Sequence, residues 1–219
     1  MTSPARAHRL RALAANRSAD GAEPPPAHAN AYELMLMQLA EHRRRLKQVQ
    51  SIERKIEAKR TMLPEYMPWV QGVLQADAGG QDDVLMTVMV WLMDTGDLAT
   101  AIDIAEYAIR HGLVMPDQYE RGVTGVIAEE AADLALKTMA TGGSAAPDLL
   151  LRIEAITAGH DMHDEIRAKL HKAIGYALRD IRPRDAVTHL RRALELHDKV
   201  GVKKDIERLE RHIKNTVGA

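Results

Sequence analysis

Nowhere in this chain do apolar and polar residues alternate with period two for long enough to build a strand, so its core has to be assembled from helices. Aromatic residues make up 3% of the sequence and Phe is absent, while hydrophobic residues reach 46%. A core of that make-up rests on Leu, Ile, Val, Met and Ala, the residues of packed helices more than of sheets. The expected fold class is all-α: a multi-helical chain with a long N-terminal helix followed by antiparallel helical hairpins, weakly tetratricopeptide-like. Its 219 residues suffice for one large domain, or for one domain with a mobile extension.

The chain has no cysteine, which removes disulfides, thiolate zinc sites and cysteine nucleophiles. The longest apolar run, Val84 to Met93, is interrupted by Thr87 and falls well short of the roughly 20 residues that span a bilayer. No charged-then-apolar leader opens the sequence, and the expectation is a soluble, intracellular protein with no membrane partner.

Net charge is -1, but its distribution is uneven. Residues 1–60 carry 12 Lys and Arg against 6 Asp and Glu, residues 61–150 carry 3 against 14, and residues 151–219 carry 15 against 11. Basic ends around an acidic middle let one face meet a polyanion and another a basic partner. The acidic stretch fits equally a docking surface or a solvated core exterior.

Three segments follow from this pattern. Residues 1–29 form a flexible basic arm, with Arg6, Arg9, Arg11 and Arg17 among Ala and Ser, ending in a stiff spacer at Pro24–Pro26. Residues 30–62 form one long basic helix, with Asn30 as N-cap and no Gly or Pro as far as Arg60. Met35, Leu39, Leu46, Val49 and Ile56 recur along it at heptad-like spacing, with His42 and Glu53 between. Such a thin stripe needs a partner helix from this chain or another, so these five are the candidate oligomerisation residues. Arg43, Arg44, Arg45, Lys47, Arg54, Lys55, Lys59 and Arg60 surround the stripe.

Residues 63–219 form a helical core domain with a charged C-terminal helix. A new helix begins at Leu63-Pro64, where proline is tolerated in a first turn. Asp82 to Met93 is apolar on nearly every side and reads as the central core helix. Thr95-Gly96 breaks it, and Asp97 caps a helix that runs to His111 before Gly112. Further helices are expected at 126–141, 148–158, 164–180, 184–200 and 203–215, with a link at Gly142-Gly143-Ser144. Ala101, Ala105 and Ala108 repeat the spacing of Ala186, Leu190 and Ala193, as in the close-packed second helix of a hairpin.

Chemistry-bearing clusters are few. His160, His163 and Asp164, with Asp161 between, lack a further ligand, and Asp161 or Asp164 as a helix cap is the better reading, so no metal site is expected. Asp82-Asp83 and Glu129-Glu130 are adjacent pairs whose side chains diverge at helix starts instead of converging on Mg²⁺. No Gly-x-x-x-x-Gly-Lys-[Ser/Thr] string is present. No catalytic residue and no cofactor are therefore assigned. Lys203, Lys204, Arg208 and Arg211 alternate with Asp205, Glu207 and Glu210, the pattern of a salt-bridged surface or coiled-coil helix. The basic cluster at 43–60 would attract phosphates, though Glu41, Glu53 and Glu57 stand where they can pair with it.

Specific strings now add to periodicity. Met1-Thr2-Ser3-Pro4-Ala5, Leu63-Pro64 with Pro68-Trp69-Val70 and Gly72-Val73-Leu74, and Gln81 through Met89 follow one another in order. After them come Asp94-Thr95-Gly96-Asp97, Tyr107-Ala108, Gly112-Leu113, Met115-Pro116, Arg167-Ala168-Lys169-Leu170-His171-Lys172 and Gly201 through Glu210. In this collinear set the chain resembles the phage small terminase subunit family, the M proteins of peduoviruses. The resemblance implies a DNA-packaging factor in the host cytoplasm. It would bind the cohesive-end site of concatemeric double-stranded phage DNA and form a homo-oligomeric ring. It would recruit a large terminase subunit that carries the ATPase and nuclease. Members are often labelled the endonuclease subunit because they direct cohesive-end cleavage. The resemblance tips the basic residues Arg6, Arg9, Arg11, Arg17, Arg43, Arg44, Arg45, Lys47, Arg54, Lys55, Lys59 and Arg60 toward DNA contact. Two other readings stay open: a helical protein-interaction scaffold with no DNA role, and a metal-dependent endonuclease in its own right.

Overall fold

A computed structural model describes residues 3–19, 26–116 and 119–217, and every regular element among them is a helix. The chain divides into two compact units, Met1–Val123 and Thr124–Ala219.

The first unit holds α1 (Pro4–Ala19), α2 (Pro26–Gln48), α3 (Ile52–Ala76), α4 (Asp83–Thr95) and α5 (Leu98–His111). Its centre is α4, where Val84, Leu85, Met86, Val88 and Met89 are wholly buried. At about 1.5–3 kcal/mol for each large apolar side chain, this one helix is a principal source of stability. Helices α3 and α5 flank it, α2 touches both α3 and α4, and α1 lies along α3. Polar chemistry sets the ends of α4. Asp82 is the N-cap, accepting from the Leu85 amide at 2.9 Å, and Gly96 closes the helix in the left-handed region at φ 89°. Asp97 then caps α5 by accepting from the Thr100 amide.

Helix α3 runs through Pro64 and Pro68, so both prolines stand in its interior and not in the first turn of a new helix. Each forfeits a backbone hydrogen bond, at a cost of about 3 kcal/mol. Burial of Leu63, Tyr66, Trp69, Val70 and Val73 on one face offsets that cost. The expected arm also differs. Residues 4–19 are helical, with Pro4 at the first helical position and an Ala, Leu and Arg content that favours helix. Gly72 explains how α1 docks: a Cβ there would lie 2.3 Å from the carbonyl oxygen of Arg11, so only glycine admits the α1 backbone. Part of the proline spacer falls outside the described residues. Pro26 opens α2, and Asn30 lies within that helix instead of capping it.

The second unit comprises α6 (Val123–Ala140), which starts one residue before the division, with α7 (Pro147–Thr157), α8 (Asp164–Leu178), α9 (Pro183–Leu196) and α10 (Lys203–Val217). Helices α8 and α9 form its tightest pair. Gly175 allows the approach, because a Cβ there would sit 2.6 Å from Leu190 and 3.1 Å from the Ala186 carbonyl. Val187, Leu190, Val202 and Ile206 form the core between α9 and α10. The residue before α8 is His163, with no side-chain cap, so neither Asp161 nor Asp164 takes that role. Asp164 stands instead in the first turn, where a carboxylate favours the dipole. Ala101, Ala105 and Ala108 in one unit, and Ala186, Leu190 and Ala193 in the other, are wholly buried. Each set lies on the second helix of its hairpin. No described helix is long and apolar enough to cross a membrane.

Candidate nucleic-acid interface

The long helix expected over 30–62 is two helices joined at Val49–Ser51. With no Gly or Pro present, the break is made by capping: Ser51 adopts extended backbone (φ -69°, ψ 128°) and its Oγ accepts from the Arg54 amide at 3.3 Å. Ser51 followed by Glu53 was the available signal for it. The turn sets the basic residues at the end of α2 beside those at the start of α3. Cations at the end of α2 favour its dipole, whereas Arg54 and Lys55 in the first turn of α3 oppose theirs.

The eight basic side chains around this turn differ in their engagements. Glu41 accepts from Arg44 Nε at 2.8 Å and from Arg45 Nε at 3.0 Å, and these bonds hold its pKa down to about 2. Lys59, 17% exposed, forms an ion pair with Asp94 that ties α3 to α4. Arg60 Nη2 donates to the Thr95 carbonyl at 3.4 Å. Arg43 is half-buried. Lys47 and Arg54 are exposed and Lys55 is half-buried, and among the described residues none of these three side chains is engaged in an ion pair.

On α1, Arg6 and Arg9 are exposed and rim a shallow groove floored by Leu10, Leu13 and Met35. The other two arginines serve the fold. Arg11 donates to Gln71 on α3 at 3.3 Å. Arg17 lies 3.4 Å over the Tyr32 ring and donates to the Gln81 carbonyl at 3.0 Å. Tyr32 in turn stacks on Trp69, and burial, aided by nearby Asp82, pushes its hydroxyl up to about 12.

The heptad-like stripe is largely internal to the unit. Met35, Leu39 and Leu46 are buried in the chain's own packing, while Val49 and Ile56 are half-buried. His42 is buried among them, shares a 2.8 Å hydrogen bond with the Tyr66 hydroxyl, and has its pKa lowered chiefly by desolvation. The exposed large apolar residues of α2 are Leu34 and Met37, at 64% and 69%. They sit one and two positions from the stripe, on the outward side of α2.

The carboxylates of Asp82, Asp83 and Glu129 are engaged with different partners. Asp82 is wholly buried, with Oδ2 accepting from Trp69 Nε1 at 2.8 Å, whereas Asp83 Oδ1 accepts from the Gln81 amide nitrogen. Desolvation raises the Asp82 pKa against the bonds that lower it. Glu129 pairs with Lys169 at 3.2 Å. In the C-terminal basic helix, Arg208 pairs with Asp205 and Glu210 with Arg191, as a salt-bridged surface requires.

The described residues thus form helices throughout, with basic side chains on both sides of the α2–α3 turn. Residues 36–165 match the model of the phage small terminase subunit family, and the chain belongs to that family. Its role is accordingly in phage DNA packaging. It is similar to the "Terminase, endonuclease subunit" of Escherichia phage P2, with 47% identity over 98% of this chain and 87% of that protein. It is also similar to the "Probable terminase, endonuclease subunit" of Haemophilus phage HP1, with 27% identity over 83% of this chain and 70% of that protein. No solved structure matches the chain.

Proposed function

We propose that this protein is the DNA-recognition subunit of a packaging terminase in the host cytoplasm. The α2–α3 turn and the exposed arginines of α1 hold the cohesive-end region of double-stranded DNA, and the protein passes that DNA to the large subunit. One observation carries this reading. Arg54 and Lys55 stand at a helix N-terminus, against the dipole, beside the cationic end of α2. A phosphate at that turn offsets the repulsion and lies at the positive, N-terminal end of α3. Phosphate contacts of this kind fix position and supply affinity, while base selection requires groove contacts.

Self-association belongs to the same proposal. Because Met35, Leu39 and Leu46 are occupied within the unit, the seam with a second copy is assigned to Leu34 and Met37, with Val49 and Ile56 at its margin. The word endonuclease in the relatives' names is read here as a property of the assembled terminase. Asp82 is consumed as a buried cap and Glu129 as an ion-pair partner.

Filter binding to cohesive-end DNA and to a scrambled duplex, across several salt concentrations, tests the reading. Each phosphate contact contributes about 0.9 to the slope of log K against log salt, so Arg54→Ala with Lys55→Ala should flatten the slope by about 2. Absence of binding to either duplex at low salt would leave a protein-interaction scaffold. Mg²⁺-dependent cutting by the purified protein alone would refute the non-catalytic assignment. A monomer by light scattering at micromolar concentration would refute the ring.

A further inference from the structure

Helices α7, α8 and α9 of the second unit bring together three side chains that are far apart in sequence. Glu154, His171 and His189 each offer one ligand atom, and these atoms lie within 4.8 Å of one another. The two imidazoles meet through their Nδ1 atoms at 3.0 Å, with ring centroids 5.3 Å apart. The close α8–α9 approach that Gly175 permits makes this possible, since His171 lies one helical turn before Gly175.

We propose that Glu154, His171 and His189 form a binding site for a divalent transition-metal ion of the zinc type, which pins α7, α8 and α9 together. Two nitrogens bound to one tetrahedral zinc at about 2.0–2.1 Å stand roughly 3.3–3.4 Å apart, so the imidazoles already approach ligand spacing. Bringing the carboxylate to the same spacing takes a movement of at most about 1.5 Å, within a side-chain adjustment. Two imidazoles and one carboxylate suit zinc and its neighbours, with a fourth position for water.

A hydrogen-bonded histidine pair alone would account for the 3.0 Å contact but not for Glu154. That half-buried carboxylate points at both rings, and among the described residues no cation or donor pairs with it. The arginines nearest the two rings are engaged away from Glu154. Arg192 is paired with Glu195 and Arg182 with Asp185, while Arg167 donates to the carbonyls of Thr157 and His160.

The test uses the full chain, freed of metal with a chelator and titrated with Zn²⁺ by calorimetry, with Co²⁺ absorption reporting ligand geometry. One ion per chain and a higher melting temperature are expected. His189→Gln and Glu154→Gln should each weaken binding by on the order of 100-fold, at least the loss seen for outer-shell changes at metal sites. A variant with both His160→Ala and His163→Ala should bind as the parent does. Circular dichroism checks the fold, and should His171→Ala not fold, the other two variants decide. Absence of saturable binding would overturn the site, as would an affinity unchanged from the parent in the Glu154 and His189 variants. These residues lie outside the DNA-contact set, so this test and the filter-binding test can fail separately.

Discussion

Replacing Gly72 with alanine tests how α1 is held, because two effects of opposite sign compete at that position. Gly72 lies inside α3, where an exposed glycine-to-alanine change stabilises a helix by about 1 kcal/mol. Here the new Cβ would lie 2.3 Å from the Arg11 carbonyl oxygen, 2.7 Å from its Cα and 2.8 Å from its carbonyl carbon. A carbon–oxygen contact needs about 3.3 Å, so α1 must retreat by roughly 1 Å. Backbone on backbone leaves no rotamer to absorb the strain. Overpacking of this kind costs about 1–3 kcal/mol, and the retreat also loosens the contacts around the wholly buried Ala14. The expected net effect of Gly72→Ala is a loss of about 1–2 kcal/mol in urea denaturation, with faster amide exchange across 4–19. Since the clash is with backbone, the same loss should appear in an Arg11→Ala background. A Gly72→Ala protein as stable as the parent or more so, with α1 amides equally protected, would refute this account of α1 docking.

Asp82→Ala should lower stability by about 2–3 kcal/mol in urea melts followed by Trp fluorescence, since it removes the α4 cap and leaves the buried Trp69 N–H without its acceptor. Lys59→Ala should cost about 1 kcal/mol of stability through loss of the Asp94 pair and leave the salt slope of DNA binding unchanged. Burial pushes the His171 imidazole down to about 4 in the folded chain, below its ordinary value, so the unfolded chain binds the extra proton. Its contribution, up to about 3 kcal/mol, is therefore present above pH 6.5 and lost as pH falls toward 4, which melts across that window should show and His171→Gln should flatten. Glu41→Gln should raise DNA affinity a few-fold at low salt in the filter assay, by releasing Arg44 and Arg45.

Elements whose ends are written in side chains were legible. Asp82 and Gly96 bracket α4, Asp97 and Gly112 bracket α5, and each sits where those residue types satisfy the orphaned ends of a helix. Other features depend on tertiary contact and left little local trace. The α2–α3 break carries only Ser51 and Glu53, without a glycine or proline to mark it. The prolines of α3 argue locally for a helix start, yet burial of Tyr66 and Trp69 outweighs them. In α1 the scattered arginines suggested a disordered arm, although its Ala and Leu content favoured helix and Gly72 supplied the groove that receives it. The basic cluster was visible by composition. Which members are committed to the fold was not, because Arg17 over Tyr32 and Lys59 beside Asp94 are meetings of residues far apart in sequence. The pairing of His171 with His189 likewise requires the register of the α8–α9 hairpin.

That commitment sharpens what the basic face can do. Lys59 and Arg60 are tied to α4 or its end, and Arg11 and Arg17 to the packing of α1. Their charge reaches solvent, but moving any of them to meet a ligand breaks a contact within the unit. Arg44 and Arg45 are held by Glu41 on an exposed face, where such pairs are weak and a phosphate can displace the carboxylate. Arg6, Arg9, Lys47, Arg54 and Lys55 have no such pair to break among the described residues. In the proposed DNA contact, binding energy should therefore concentrate on the α2–α3 turn and the start of α1. Substitutions at Lys59 or Arg17 would weaken DNA binding only by loosening the fold that presents those two sites.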